Sequence, residues 1–330
     1  MSRSAPRLRW CRIVPFLLML PQSAAGQRTE LYRFVLGVDV PEPAVFPALD
    51  VAPAVRLGSA PKPVAAAIVF THTAGETARA AALDFAPYWL AGGGARNLAS
   101  YRSRSVAGRL MRVLTKTVLS VGAMHSSNDA SAMIVAVGAR STLHDPHDPV
   151  LNSMLPEEAA TAEDRELGRI LARARDAMRA RSWDPQVSVG WAVAARAAGG
   201  RISGDSMGAA RHTAWLAAQL TAGRKFDLMG FAQVQDASGD ERFFLGGLGL
   251  RRKSDSNDLQ AGLAWDGRAR ALHPALLLDA RLGSRIGALL WIETRSDPSV
   301  AERLLRIGVL ARWFAASDPV EPVAGSSLPR

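Results

Sequence analysis

The stretch VSVGWAVAAR, residues 187–196, alternates without a break. Val187, Val189, Trp191, Val193 and Ala195 form one row, and Ser188, Gly190, Ala192, Ala194 and Arg196 form the other. Such alternation marks a strand with two unlike faces, because successive side chains leave the pleat on opposite sides. In a water-soluble sheet the bulky row meets a core and the second row carries Lys, Glu and Thr. Here the second row is small, and only its end is charged. A bulky row against lipid and a small row against a barrel interior account for both.

The pattern recurs along the chain. AALDFAPYWL (81–90) sets Leu83, Phe85 and Trp89 against Asp84 and Tyr88. RVLTKTVLSVGAM (112–124) sets Val113, Thr115, Thr117, Leu119 and Val121 against Leu114, Lys116, Val118, Ser120 and Gly122. SAMIVAVGAR (131–140), HTAWLAAQL (212–220), FFLGGLGLRR (243–252), DLQAGLAWD (258–266), HPALLLDARLG (273–283), RIGALLWIE (285–293) and LLRIGVLARWF (304–314) continue it, with Trp215 out of phase. PVAAAIVF (63–70) fits a strand or a short helix. Most segments run roughly 9 to 13 residues, longer than the five or six usual in soluble sheets and near the 9 to 11 of a tilted membrane-crossing strand. Polar tips such as SSND (126–129), DASGDE (236–241), KSDSND (253–258) and RSDPS (295–299) separate them.

These features predict an all-β fold: a closed antiparallel transmembrane β-barrel of about 10–12 strands over residues 63–314, with one amphipathic helical insertion. Val189, Val193, Leu278 and Ile307 fall on the lipid side, and Trp89, Trp265 and Trp313 fall near strand ends, where amphipathic rings suit an interface. The insertion covers about 156–181, where Leu167, Ile170, Leu171, Ala174 and Met178 make one helical stripe among Arg, Glu and Asp. A secreted soluble β-protein is the alternative architecture.

The N-terminus reads as an export signal. Arg3, Arg7, Arg9 and Arg12 precede the apolar run IVPFLLML (13–20) and the small residues of PQSAAGQ (21–27), a signal peptide over 1–26. Residues 27–62 are rich in proline, which forbids regular helix or central strand and suits an extended segment, a possible plug. Residues 315–330 read as a disordered polar tail. The single cysteine, Cys11, lies in the leader, so the remainder offers no thiol chemistry. The formal net charge is +10, and subtracting the leader's four arginines leaves 10 − 4 = +6, scattered in ones and twos. Without a basic cluster interleaved with aromatics, nucleic acid is not an expected partner. Membrane lipid and the outer-membrane assembly machinery are, and the expected location is the bacterial outer membrane. RIGVLARW (306–313), polar, then glycine, then alternate hydrophobes ending in Trp313, resembles the terminal-strand signature read by that machinery.

Chemistry is sparse. MHSSND (124–129) holds His125, Ser126, Ser127, Asn128 and Asp129, but neighbours on a strand face opposite ways and do not make a triad. LHDPHDP (143–149) holds His144, Asp145, His147 and Asp148, which its prolines make a rigid loop rather than a metal site. GGRISGD (199–205) lacks the lysine and helix of a phosphate loop. No catalytic residue, cofactor or metal is expected. An outer-membrane lipid-modifying hydrolase or acyltransferase stays as the alternative function. The distinctive set is the charges on the small row: Asp84, Lys116, Arg140, Arg196, Asp266, Asp279, Arg281, Arg285, Glu293, Arg306 and Arg312. Facing a lumen, they line a passive channel or pair across a partly plugged structural or assembly barrel.

PAVFPALDVAP (43–53), ALDFAPYWL (82–90), VGARSTLHDPHDP (137–149) and VSVGWAVAA (187–195), in this order, resemble an uncharacterised group of bacterial outer-membrane β-barrel proteins. That resemblance implies a closed barrel at the outer membrane and no settled activity.

Overall fold

The computed structural model describes residues 40–41, 43–51, 58–59, 64–73, 76–90, 103–127, 132–146, 185–198, 210–222, 225–237, 242–254, 257–282, 286–297 and 302–314. The expected leader at 1–26, the expected helical insertion at 156–181 and the expected tail at 315–330 lie outside them. Twelve strands close into one barrel. They are β1 (Val64–Thr73), β2 (Glu76–Phe85), β3 (Thr117–Ser126), β4 (Ala132–His144), β5 (Gln186–Ala198) and β6 (Arg211–Ala222). The second half is β7 (Phe226–Ala237), β8 (Phe243–Arg252), β9 (Asn257–Asp266), β10 (Ala271–Arg281), β11 (Ile286–Asp297) and β12 (Glu302–Phe314). Each strand pairs antiparallel with its neighbour in sequence, and β12 closes on β1 from Arg306↔Thr73 to Phe314↔Ala65.

Closure leaves no sheet edge, which is the condition for placing strands in hydrocarbon. The outward rows meet that condition too. Phe70, Val137, Trp191, Leu216, Leu263, Leu290 and Val309 are all large, apolar and exposed on the outer wall. A water-soluble monomer does not present so continuous an apolar belt. Trp265 and Trp313 point outward near opposite rims, at the ends of β9 and β12. The chain is a transmembrane β-barrel of the bacterial outer-membrane kind. Of the ambiguous 63–70, the described residues 64–70 form strand, not helix.

Two segments depart from the strand that alternation predicts. The alternation at 112–124 begins too early: Val106–Thr115 is an α-helix (α2), capped by Ser105, and β3 starts at Thr117. Thr115 and Lys116 therefore belong to the helix end, where the 3.6-residue period governs direction. Likewise β2 ends at Phe85, and Pro87–Leu90 form a short helix (α1), a position where proline's fixed φ suits the first turn. Tyr88 and Trp89 thus leave the strand pattern.

The barrel has unlike rims. The chain enters β1 and leaves β12 at one rim, here called proximal. The strands joined through 86–116 and through 145–185 also meet that rim, as do those joined through 223–225, 253–256 and 282–285. Every distal connection is short, the longest being 199–210.

The register carries a measurable consequence. Leu290 and Val309 face each other across β11 and β12 near mid-strand, and Leu305 lies outward nearer the distal rim. Leu290→Arg and Val309→Arg should each cost about 2–4 kcal/mol, and Leu305→Arg about 0–1 kcal/mol. Urea titration of the protein refolded in phospholipid vesicles measures both, and equal costs would contradict the lipid-facing assignment.

Candidate functional site

The lumen is the one enclosed space the fold creates, and a finger of chain occupies it. Val40–Pro41 pair with Gly58–Ser59 in a two-residue antiparallel bridge. Between these arms residues 43–51 form a run of overlapping hydrogen-bonded turns. The Val51 amide donates to the Phe46 carbonyl over 3.2 Å and the Asp50 amide to the Pro47 carbonyl over 3.2 Å. This pair of bonds, with Asp50 left-handed at φ 56°, is a Schellman ending, which aspartate tolerates better than most residues. Val45, Phe46, Leu49 and Val51 are fully buried.

The finger touches inward residues along the barrel. The Ala44 amide donates to Ser120 Oγ over 3.2 Å. Val45 packs over Gly122, where a Cβ would stand 2.9 Å from its Cγ2. Arg211 reaches the Ala48 carbonyl at 3.5 Å. Asp50 accepts from Arg295 at 2.6 Å and lies 3.8 Å from Arg306. Ser120 sits near the proximal start of β3, whereas Arg211, Arg295 and Arg306 sit toward the distal ends of their strands. The finger therefore runs along the lumen from one end toward the other.

Around it the interior is layered. Mid-lumen residues are apolar and buried: Ala67, Val69, Ala82, Ala136, Ala192, Leu277, Leu289, Trp291 and Leu310 form one cluster with Val45, Phe46 and Leu49. Ion pairs lie toward the proximal end. Arg140 pairs with Asp84 at 2.8 Å, and Ser120 Oγ also donates to Asp84. Lys116 pairs with Asp145 at 3.5 Å, and Arg312 pairs with Asp279. Asp227 accepts from Arg251 at 2.5 Å, Lys253 at 2.7 Å and Gln219 at 3.0 Å. Toward the distal end Glu293 accepts from Arg295 at 3.2 Å and lies 3.5 Å from Arg306. Each pair offsets a desolvation cost that either charge alone would carry.

Of the charges singled out from sequence, Asp84, Lys116, Arg140, Glu293, Arg306 and Arg312 are buried, and Asp279 is half-buried. Lys116 reaches its place from the end of α2 rather than from a strand. Asp266 ends β9 and caps the next turn, accepting from the amides of Arg268 at 2.8 Å and Ala269 at 3.2 Å; its other oxygen lies 3.8 Å from His273 Nε2. Arg196 is exposed near the distal end of β5. Arg281 ends β10, its side chain outside the described residues, as is the whole of Arg285. Cations outnumber acids in this set. Asp50, Asp145 and Asp227, which alternation did not single out, supply opposing charge; Asp145 and Asp227 lie at strand ends and Asp50 on the finger, where a period-two reading is weakest.

Trp215 and Trp291 explain the out-of-phase aromatic. Both point inward and lie flat over a glycine of the neighbouring strand. A Cβ on Gly190 would stand 2.2 Å from Trp215 Cε2, and one on Gly308 2.0 Å from Trp291 Cζ2. The two Trp–Gly pairs, β6 on β5 and β11 on β12, sit six strands apart in a ring of twelve, on opposite walls. Ala192, small in sequence, is wholly buried beside Gly138, so a lysine there meets packed wall rather than water.

Among the described residues the polar motifs do not converge. His125 points outward and exposed, while Ser126 points inward and donates to Glu76 at 2.6 Å. Ser127 Oγ accepts from the Thr77 amide at 2.9 Å. His144 is exposed at the end of β4; His147, Asp148 and residues 199–205 lie outside the described residues. Among the described residues no group of three or more His, Cys, Asp and Glu is placed to hold a metal ion.

No protein-family model and no curated protein sequence matches the chain. Among solved structures it is similar to the KdgM porin at 5% identity, over 76% of this chain and 98% of that one, with a TM-score of 0.44. It is similar to the outer membrane protein Omp33 of Acinetobacter baumannii at 8% identity, over 77% and 98%, with a TM-score of 0.39. A third is the outer membrane phospholipase A of Escherichia coli, at 8% identity over 76% and 89%, with a TM-score of 0.36. These likenesses assign neither a solute nor a reaction to this chain.

The indole–glycine contact predicts a non-additive pair. Gly308→Ala should cost about 1–3 kcal/mol by driving a methyl into the Trp291 ring. In a Trp291→Leu background the same change should cost well under half as much, because the ring that it strikes is gone. Urea titrations of the four proteins close the cycle, and additive costs would show that the contact is not made in the membrane.

Proposed function

We propose that the protein is a passive outer-membrane barrel held shut by its own N-terminal finger, a plugged channel rather than an open pore or an enzyme. The observation that carries this reading is the burial of Val45, Phe46, Leu49 and Val51 among inward residues of the wall. An aqueous pore leaves such a segment no reason to be apolar. Charges lining a pore act as rings of one sign, whereas these are of both signs and paired at close range. The finger's tether at the distal end is Asp50 to Arg295, with Asp50 about half exposed, so it is the weakest point of the seat. The proline-rich segment 27–62 acts as the plug, and β12, with Trp313 outward and Gly308 inward, presents the terminal signature to the assembly machinery.

Planar-bilayer recording tests this. The intact barrel should conduct poorly. Replacing 43–51 by a short glycine-serine link should give a steady conductance severalfold higher, and Asp50→Ala should give brief openings between closed periods. A large steady conductance from the intact protein would overturn the plug, as would a finger deletion that leaves conductance unchanged.

A further inference from the structure

Helix α2 stands against the outside of the barrel wall. Ser141, on the outward row of β4, donates its hydroxyl to the Val113 carbonyl over 3.2 Å, and Thr117, outward on β3, donates to the same carbonyl over 2.7 Å. Gly108 and Thr115, seven residues apart on the face opposite Val106, Leu110 and Leu114, are the helix's buried residues. Away from the wall, Val106, Leu110 and Leu114 form one line at i, i+4 and i+8, and they are 80%, 58% and 47% exposed. Three aliphatic side chains in a line are a poor surface to give to water. Leu143, two residues beyond Ser141 on the same outward row of β4, is also apolar and exposed.

The segment that carries this stripe has charge of one sign in its sequence, and Asp145 from the end of β4 meets its last cation, Lys116, over 3.5 Å. Between Ala86 and Ser127 the chain carries Arg96, Arg102, Arg104, Arg109, Arg112 and Lys116, and no Asp or Glu. Arg104 and Arg109 are exposed beside the stripe. Arg112 turns back to donate to the Ser103 carbonyl at 2.8 Å. An apolar line with cations at its edge, continuous with a lipid-facing wall, matches an interfacial helix on an anionic surface.

The rim follows from the connections. A barrel chain reaching the outer membrane comes from the periplasm, so its hairpin tips must cross and its ends stay behind. Carrying polar chain through hydrocarbon is costly, which favours short crossing tips. No distal connection exceeds the 12 residues of 199–210, whereas 86–116 and 145–185, of 31 and 41 residues, join strands at the rim of β1's start and β12's end. This reverses the common pattern of short periplasmic turns and long external loops.

We propose that α2 is an interfacial anchor: it lays Val106, Leu110 and Leu114 into the periplasmic leaflet, with Arg104 and Arg109 at the level of its anionic phospholipid headgroups. A bimane label at Leu110→Cys, in the full chain carrying Cys11→Ser, tests this in vesicles of phosphatidylcholine with or without phosphatidylglycerol. Heat-modifiable gel mobility confirms that each barrel is folded. With phosphatidylglycerol the label should be severalfold less quenched by aqueous iodide, and it should be quenched by brominated acyl chains. Arg104→Gln with Arg109→Gln should remove the phosphatidylglycerol dependence and leave the barrel folded. Iodide access that is equally free in both vesicles overturns the lipid anchor and leaves the stripe to a protein partner. Equal protection in both overturns the choice of an anionic leaflet.

Discussion

An amide in hydrocarbon has no water to bond. That constraint decides the rest of this structure, because a sheet can satisfy it only by closing, and closing creates two separate environments from one sheet. The outer rows are then free to be uniformly apolar. The inner rows must fill a cylinder of fixed size, and twelve strands enclose more space than their own side chains easily occupy. Here the wall contributes small residues such as Ala67, Ala82, Ala136 and Ala192, and the room they leave is taken by Phe46 and Leu49 of the finger and by the indoles of Trp215 and Trp291.

The filled interior has the order of a soluble protein turned inside a membrane one. An apolar layer sits at mid-lumen, and charged pairs lie toward the two ends. This arrangement keeps charges nearer the rims, where their remaining hydration is best preserved, and gives the finger an apolar seat at its middle. It also explains why the finger is built from residues such as PAVFPALDV: prolines stiffen it before it docks, and its one exposed carboxylate, Asp50, meets Arg295 near the distal end.

The architecture was readable because lipid and lumen impose a period-two contrast that few other folds need. Val189 outward and Ser188 inward follow from that contrast alone. It failed where another period took over. Val113 and Thr115 alternate as a strand does, but they complete the turns of α2, and only the helical line of Val106, Leu110 and Leu114 reveals it. The lumen charges were readable as a row and not as partners. Alternation says that Arg140 and Asp84 share a face; barrel closure and register decide that they touch. Arg251 and Asp227 show the reverse case, a buried pair at strand ends where alternation gives little emphasis. Trp215 broke the pattern for a physical reason, since Gly190 on the next strand makes the hollow that its ring fills.

The central claim is that residues 43–51 are seated inside the barrel in the membrane. Hydrogen exchange of the Phe46, Leu49, Asp50 and Val51 amides in vesicle-inserted protein tests it most directly, because each donates within the finger's own turns. Seated, these amides should exchange as slowly as those of the strands around them. Exchange as fast as that of an unstructured peptide would contradict the account and leave the lumen without its plug.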